Sequence, residues 1–376
     1  MYEQEHNIFR NEFRKFLERE ITPHLDQWEE ERIVPKEAYL KMGESGFLCP
    51  WLAEEYGGSE ADLLYSVIIT EESCKAGAVS MMAALHSDIN VPYIAHLGND
   101  EQKARWLPKC ASGETITAIA MTEPNAGSDL ASLKTYATRE GDDYVINGSK
   151  IFISNGMNAG LVIVAARTDR KAGSKGISLF VVEDGTPGFA RGRKLDKMGL
   201  SAQDTAELVF DDCRVPAGNL LGEEGKGFYY MMNHLQQERL MCSVMAQAMA
   251  ERMLEMTIEY TQDRKAFGKS VCSFQSNAFK IVDMATEIKL GRAFLDQLIV
   301  RHMEGKDVVT EVSMAKAWIA EMANRVAYDC VQLHGGYGYM EEYPICRFSR
   351  DIRPFSIFAG TTEIMKVIIA KNMELL

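Results

Sequence analysis

The chain has 376 residues, of which 46% are hydrophobic and 25% are charged, a composition typical of a globular protein large enough for two or three domains. Its net charge of −13, without any run of basic residues, argues against a nucleic-acid partner. No stretch of about 18 consecutive apolar residues occurs, so the sequence predicts no membrane-spanning helix.

The eight cysteines stand singly and none forms a Cys-x-x-Cys pair, so we expect no metal site and a reducing compartment. The acidic N-terminal segment lacks the basic and then apolar order of a signal peptide. These features predict a cytoplasmic protein of a bacterium, or a protein of the mitochondrial matrix if a transit peptide was removed.

Residues 1–114 are predicted to form an N-terminal helical domain. Phe9, Phe13 and Phe16 recur at the spacing of one helix face. Further helices are expected over residues 62–75, 79–86 and 100–107, and another from residue 90. Pro108 should end the helix before it.

From residue 115 to 222 the pattern changes to short apolar runs separated by glycine, asparagine and aspartate, which indicates a middle β domain. Asn147-Gly148 is the predicted turn of a hairpin within it. Strands are expected over residues 144–146, 150–154, 161–166, 177–182 and 206–210.

Residues 223–376 return to helical patterns and should form a four-helix bundle. Its helices are expected over residues 228–264, 273–304, 307–334 and 362 to the end. The predicted fold class is therefore α+β, with a helical domain, a β domain and a helical bundle in that order.

The most informative segment is residues 118–129, with the sequence A-I-A-M-T-E-P-N-A-G-S-D. Pro124 must end the apolar strand that starts this segment, because proline lacks an N–H donor. We expect the strand edge that remains to present backbone N–H groups, Thr122 and Ser128 to a planar, polar group. In sequence and order, T-E-P-x-A-G-S-D resembles the flavin-binding signature of the acyl-CoA dehydrogenase family.

This resemblance implies an FAD cofactor that is contacted by Met121, Thr122, Gly127 and Ser128. The second flavin strand of the family matches residues 150–156, K-I-F-I-S-N-G. There Phe152 and Ser154 are implied to face the isoalloxazine, although many members carry tryptophan at the position of Phe152.

Two further motifs resemble the parts of this family that reach the FAD of a neighbouring subunit. The first comprises Arg264, Phe267 and Gln275, where an arginine fork suits phosphate oxygens. The second is Q-x-x-G-G with Gln332, Gly335 and Gly336, where glycine allows close backbone approach. The resemblance therefore implies a homo-oligomer, with a tetramer as the expected state.

The loop F-A-G-T-T-E at residues 358–363 matches the segment before the last helix of the family and implies that Thr361 and Glu363 contact the cofactor. Most members carry their catalytic glutamate at the position of Ala359. A replacement base is therefore needed if the chain is an active enzyme.

Glu238 is the predicted replacement. At about 100° per residue, Leu235, Cys242 and Met245 lie within about 60° of it around the helix axis. A carboxylate on an apolar stripe is costly, and burial raises its pKa toward that of a useful base. The alternative is a glutamate that faces solvent or pairs with Arg239.

L-x-x-E-R-L at residues 235–240 resembles the long-chain and isovaleryl branches of the family, whose base stands at this glutamate. The long-chain type is the closest resemblance. It implies dehydrogenation of an acyl-CoA thioester to a trans-2-enoyl-CoA, with electrons passed to an electron-transfer flavoprotein. The implied substrate contacts are Ser128, Gln236, Arg239 and Gly360.

Asp88 is a second unusual carboxylate, and its simplest interpretation is a helix cap. The alternative is a base that acts on a cyclic or unsaturated acyl-CoA, as in some anaerobic relatives. A competing hypothesis of another class is an acyl-CoA-binding flavoprotein that has lost its base. An acyl-CoA oxidase fits less well, because those relatives are usually longer.

Overall fold

The computed structural model describes residues 1–376 and consists of a helical region, a sheet and a second helical region, as the predicted α+β fold requires. The first region contains six α-helices: α1 (Gln4–Phe16), α2 (Leu25–Glu31), α3 (Lys36–Glu44), α4 (Leu63–Lys75), α5 (Val91–Leu97) and α6 (Asp100–Ala111). Asp62 caps α4 by accepting a hydrogen bond from the Leu64 N–H, so the predicted start of this helix is confirmed.

Two predictions in this first region were wrong. Helix α6 continues through Pro108 to Ala111 instead of ending before it. Residues 79–86 do not form one helix, because Met82 adopts a left-handed φ of 48° that interrupts it. A short 3₁₀ turn at Val79–Met81 and a π-helical turn at Leu85–Asn90 stand there instead.

The sheet has eight strands: β1 (Thr117–Ala120), β2 (Tyr136–Glu140), β3 (Asp143–Ser154), β4 (Leu161–Arg167), β5 (Ile177–Glu183), β6 (Phe189–Lys194), β7 (Thr205–Pro216) and β8 (Leu220–Leu221). Seven of them follow the order β6-β7-β3-β2-β4-β5-β8, and β1 pairs with β4 in parallel. The end of β1 therefore lies beside the middle of the sheet.

The predicted hairpin turn at Asn147-Gly148 was wrong, since β3 runs through both residues. The turn joins β2 to β3 at residues 141–142 instead. The Asn147 side chain bonds a bulge on β7, accepting from the Asp212 N–H at 2.9 Å. Gly148 is needed because a Cβ there would lie 2.4 Å from Thr135 Oγ1.

The second helical region contains α7 (Gly227–Asp263), the small hairpin of β9 (Lys265–Ala266) and β10 (Lys269–Ser270), α8 (Gln275–Met303), α9 (Val309–His334), α10 (Pro344–Asp351) and α11 (Thr362–Asn372). A single large hydrophobic core lies between α7, α8 and α9 and includes Met245, Leu295 and Met322. No helix in the chain combines the length and apolarity needed to cross a membrane.

Candidate active site

A cavity of about 430 Å³ lies where the sheet, α7 and the loop before α11 meet. Most of its lining is hydrophobic, and its polar side chains are few, as in small-molecule sites generally. The sequence-predicted residues that it brings together are Met121, Thr122, Gly127, Ser128, Phe152, Ser154, Glu238, Arg239 and Gly360.

Helix α7 supplies one wall of this cavity and places Glu238 in it. Leu235, Cys242 and Met245 line the same wall, so the stripe predicted from helical periodicity faces the cavity. Ala359 belongs to the lining as well. Glu238 and Ala359, the position where the resemblance implies the usual base, therefore line one shared space.

Glu238 is only 7% exposed, and its Oε1 accepts a 2.9 Å hydrogen bond from the Tyr93 hydroxyl. Burial raises the pKa of this carboxyl to about 7, while the Tyr93 hydrogen bond and the Arg239 charge oppose the rise. A carboxyl with this pKa is balanced between its acid and base forms near neutral pH.

Arg239 places a guanidinium at the cavity wall beside the loop before α11. Its Nε is buried and has no hydrogen-bond partner within the chain, so the side chain has unused donor capacity. Gly360 has a φ of 92°, and a Cβ there would lie 2.5 Å from Met365 Cε. A residue with a side chain would be strained at this positive φ, so the backbone conformation of the loop favours glycine.

The opposite wall combines hydroxyl groups with an uncovered aromatic ring. Phe152 is 65% exposed and has a φ of 61°, a strained conformation for a residue with a side chain. Thr122, Ser128 and Ser154 belong to the same cavity lining. An apolar surface next to hydroxyl donors suits a flat heteroaromatic group such as a flavin.

A buried ion pair supports this wall. Lys150 Nζ lies 2.9 Å from Glu123 Oε1 and donates to the Met121 carbonyl at 3.0 Å. Glu123 also accepts from the backbone N–H groups of Lys134 and Thr135. This ion pair therefore joins the segment after β1, which carries Thr122, to strand β3, which carries Phe152.

A second cleft, of about 660 Å³, lies at the far end of α7. It contains Arg264, Gln332, Gly335 and Gly336 from the two predicted FAD motifs. Neither glycine has an atom within 4 Å of where a Cβ would stand, so the backbone is open to close approach. Phe267, 97% exposed, and Gln275 stand outside this lining.

Several predicted residues do not reach the first cavity. The Gln236 side chain points elsewhere and bonds His302 Nδ1 at 2.9 Å and the Val308 N–H. Thr361 caps α11 by accepting from the Ile364 N–H, and Glu363 is exposed in the first turn of that helix. The contacts of Gln236, Thr361 and Glu363 therefore stay predictions, because these residues lie outside the cavity lining.

Asp88 lies within the π-helical turn and does not cap a helix. It is buried, its Oδ1 has no hydrogen-bond partner, and burial raises its pKa to about 7. Leu85 and Ile89 of the same turn line the cavity, but Asp88 does not.

Sequence reasoning missed Tyr93, although it contacts the predicted base. It stands in the apolar segment V-P-Y-I, and 145 positions separate it from Glu238. No local sequence pattern predicts a contact between residues so far apart. A tyrosine amid buried aliphatic residues is the one available signal, because a buried hydroxyl needs a partner.

Three family descriptions match successive parts of the chain. The N-terminal domain of acyl-CoA dehydrogenase matches residues 3–114, the middle domain residues 118–213 and the C-terminal domain residues 225–374. The resemblance found in the motifs is thereby confirmed.

Individual acyl-CoA dehydrogenases match nearly the whole of this chain. The long-chain specific acyl-CoA dehydrogenase of Sus scrofa mitochondria is 48% identical over 375 residues, which cover 99% of this chain and 87% of that protein. A crystal structure of an acyl-CoA dehydrogenase from Geobacillus kaustophilus has 58% identity and a TM-score of 0.98, covering 100% of this chain and 99% of that one.

A second similar structure is described as the electron transferring flavoprotein of Acidaminococcus fermentans, in work on flavin-based electron bifurcation. It is 35% identical with a TM-score of 0.94, and the match covers 99% of this chain and 98% of that chain.

Proposed function

This chain belongs to the acyl-CoA dehydrogenase family of oxidoreductases that act on acyl-CoA, and on that premise we propose that it converts an acyl-CoA thioester to a trans-2-enoyl-CoA with Glu238 as its base. The observation that supports this proposal is the position of Glu238. It shares the cavity with Ala359, the residue at the usual base position.

Glu238 removes the α proton of the thioester. Because burial raises its pKa to about 7, the carboxylate is a stronger base than an exposed glutamate and is still available near neutral pH. The apolar side chains beside it in the cavity lining are part of the burial that raises this pKa.

The negative charge that develops on the thioester oxygen needs donors. Ala359 belongs to the cavity lining, and its backbone N–H has no backbone acceptor within the chain. This N–H is the proposed donor. Arg239 and Ser128 are the proposed side-chain contacts of the substrate.

FAD is the proposed cofactor, and when bound it would supply the acceptor for the β hydrogen, which leaves as hydride. Met121, Thr122, Gly127, Ser128, Phe152 and Ser154 would hold its flavin end. Arg264, Gln332, Gly335 and Gly336, with Phe267 and Gln275 beside them, would hold the FAD of a neighbouring subunit, and Thr361 and Glu363 are further proposed contacts.

The proposal includes partners and a location. Since one chain would contribute to the FAD site of another, the protein should be a homo-oligomer, and we propose a tetramer. An electron-transfer flavoprotein is the proposed electron acceptor. A bacterial cytoplasm or the mitochondrial matrix remains the expected location, and the Sus scrofa relative is mitochondrial.

Anaerobic addition of acyl-CoA esters to the FAD-loaded protein tests the proposal. Loss of flavin absorbance with straight-chain, branched or cyclic esters identifies the substrate class. Glu238→Gln should retain FAD and lose rapid bleaching. Bleaching at the wild-type rate in this variant would contradict the base assignment, and absence of bleaching in the wild type would favour a protein that only binds acyl-CoA.

Asp88 remains the alternative base because it is buried with an unpartnered oxygen. Its position outside the cavity lining argues against direct contact with the substrate. If Asp88→Asn abolished bleaching by a cyclic ester while Glu238→Gln did not, this alternative would replace the first.

A further inference from the structure

The carboxylate of Glu238 has one hydrogen-bond partner within the chain, the hydroxyl of Tyr93 on α5. A carboxylate can only accept, so the tyrosine hydroxyl donates a hydrogen bond to Oε1 at 2.9 Å. Oε2 makes no hydrogen bond within the chain and is not sealed in the protein interior. Because Glu238 lines the cavity, Oε2 is the oxygen free to meet a substrate.

The Tyr93 ring is itself held in place. It is fully buried and stacks on the His234 ring with centroids 4.1 Å apart and an interplanar angle of 19°. His234 Nδ1 lies 2.9 Å from the Tyr230 carbonyl oxygen, which can only accept, so Nδ1 carries a hydrogen.

The other nitrogen of His234 extends this arrangement to the surface. In the neutral ring Nε2 is then an acceptor, and His96 Nδ1 lies 3.2 Å from it. His96 is exposed. His234 thus covers one face of Tyr93, and His96 contacts His234 from the surface side.

We propose that Tyr93 is a positioning residue for Glu238, which binds Oε1 and leaves Oε2 directed at the substrate, and that the His234–His96 pair holds Tyr93 for this task. The proposal rests on Glu238 as the base. It adds a residue whose role is to fix which oxygen reacts and at what pH the carboxylate form is present.

Few other charged or titratable groups face the same carboxylate. Arg239 and Cys242 lie beside it on α7, and Lys316 on α9 lies near Cys242 and Arg239. Arg239 favours the charged form of Glu238, as does Tyr93. Loss of the tyrosine hydroxyl therefore leaves Arg239 alone to oppose the effect of burial.

Tyr93→Phe tests the proposal, since it removes the hydroxyl and keeps the ring that stacks on His234. The hydroxyl favours the carboxylate form, so its loss raises the pKa of Glu238. The acidic limb of the pH profile of kcat should move about one pH unit higher, with about a tenfold loss of rate below it. KM and FAD content should stay near wild type.

Tyr229→Phe is the matched control, because Tyr229 is an exposed tyrosine of α7. It should leave the profile unchanged. An unmoved acidic limb in Tyr93→Phe, or equal effects of the two variants, would overturn the proposal.

A second measurement does not depend on turnover. Infrared difference spectra of the holoenzyme, with Glu238→Gln to assign the carboxyl band, report the titration of Glu238 directly. A higher midpoint in Tyr93→Phe supports the hydrogen bond, and an unchanged midpoint contradicts it. If the midpoint moves while the rate profile does not, Glu238 is not the base, and the proposed function fails separately from the contact.

The histidine pair is tested by a double-mutant cycle. His234→Leu should move the acidic limb in the same direction as Tyr93→Phe but less far. The double variant should match Tyr93→Phe alone, because the histidine acts through the tyrosine. Additive effects would show that His234 acts independently and would overturn that part of the proposal.

Discussion

Glu72 and Glu238 are both buried glutamates, yet their surroundings differ in one respect. Glu72, 3% exposed, accepts from Arg14 and Arg10, and Arg10 also bonds the neighbouring Glu71 at 2.9 Å. Glu238 has a single neutral phenol as its hydrogen-bond donor. Glu72 is therefore paired with two cations, whereas Glu238 is bonded to none.

The pKa values follow from this difference. Burial raises the pKa of the Glu72 carboxyl, but the Arg14 and Arg10 hydrogen bonds overcome burial and hold it below its ordinary value. Burial prevails at Glu238 and raises the pKa to about 7. The same side chain therefore joins α1 to α4 in one place and is available for proton transfer in the other.

The largest expected effect is the loss of rate in Glu238→Gln. Removal of a general base costs about 10²- to 10⁴-fold in turnover. The amide still accepts from Tyr93, so the unfolding midpoint should not fall. Steady-state assays with an artificial electron acceptor and urea unfolding of the same sample check both expectations. A large loss of stability with little loss of rate would mean that Glu238 has a structural role, like Glu72, and is not the base.

Glu72→Gln should have the opposite effects, namely a loss of stability with little loss of rate. It leaves the Arg14 guanidinium without a carboxylate partner and Arg10 with Glu71 alone, and breaking a buried pair costs about 3 kcal/mol or more. We expect a lower urea midpoint and a near-normal kcat at temperatures where the variant is folded. Loss of turnover in a stable variant would show that this ionic cluster acts on the active site.

The pH dependence of the wild-type rate also distinguishes Glu238 from Glu72. Only the ionised form of Glu238 accepts a proton, so kcat should rise as pH increases through about 7 and fall about tenfold for each unit below it. The Glu72 carboxyl is already ionised over that range, and Glu72→Gln should keep the wild-type profile. A rate that stays flat from pH 5 to 8 would contradict the role of Glu238.

The smallest effect is expected at a surface pair. Lys15 Nζ lies 2.7 Å from Glu12 Oε1, but both side chains are exposed to water. Lys15→Ala should change the unfolding free energy by less than about 1 kcal/mol. A change as large as that of Glu72→Gln would mean that burial does not separate the two kinds of ion pair.

Much of the fold was predictable because local patterns carry it. The helical periodicity of α7 and the apolar runs of β4 and β5 identified those elements, and the structure confirms them. The hairpin turn predicted at Asn147-Gly148 was wrong because this dipeptide occurs both in hairpin turns and at bulges. The partner strand decides which of the two forms. Met82 likewise gave no sign of its left-handed conformation.

At the site, the position of Glu238 on an apolar stripe was predictable, because positions three, four and seven apart on a helix share a face whatever surrounds them. The contacts of that carboxylate were not predictable, because they depend on three-dimensional packing. Tyr93 is 145 positions from Glu238, and Arg10 is 62 positions from Glu72. Contacts across such separations depend on how whole helices pack, and it is these contacts that set the charge of each glutamate.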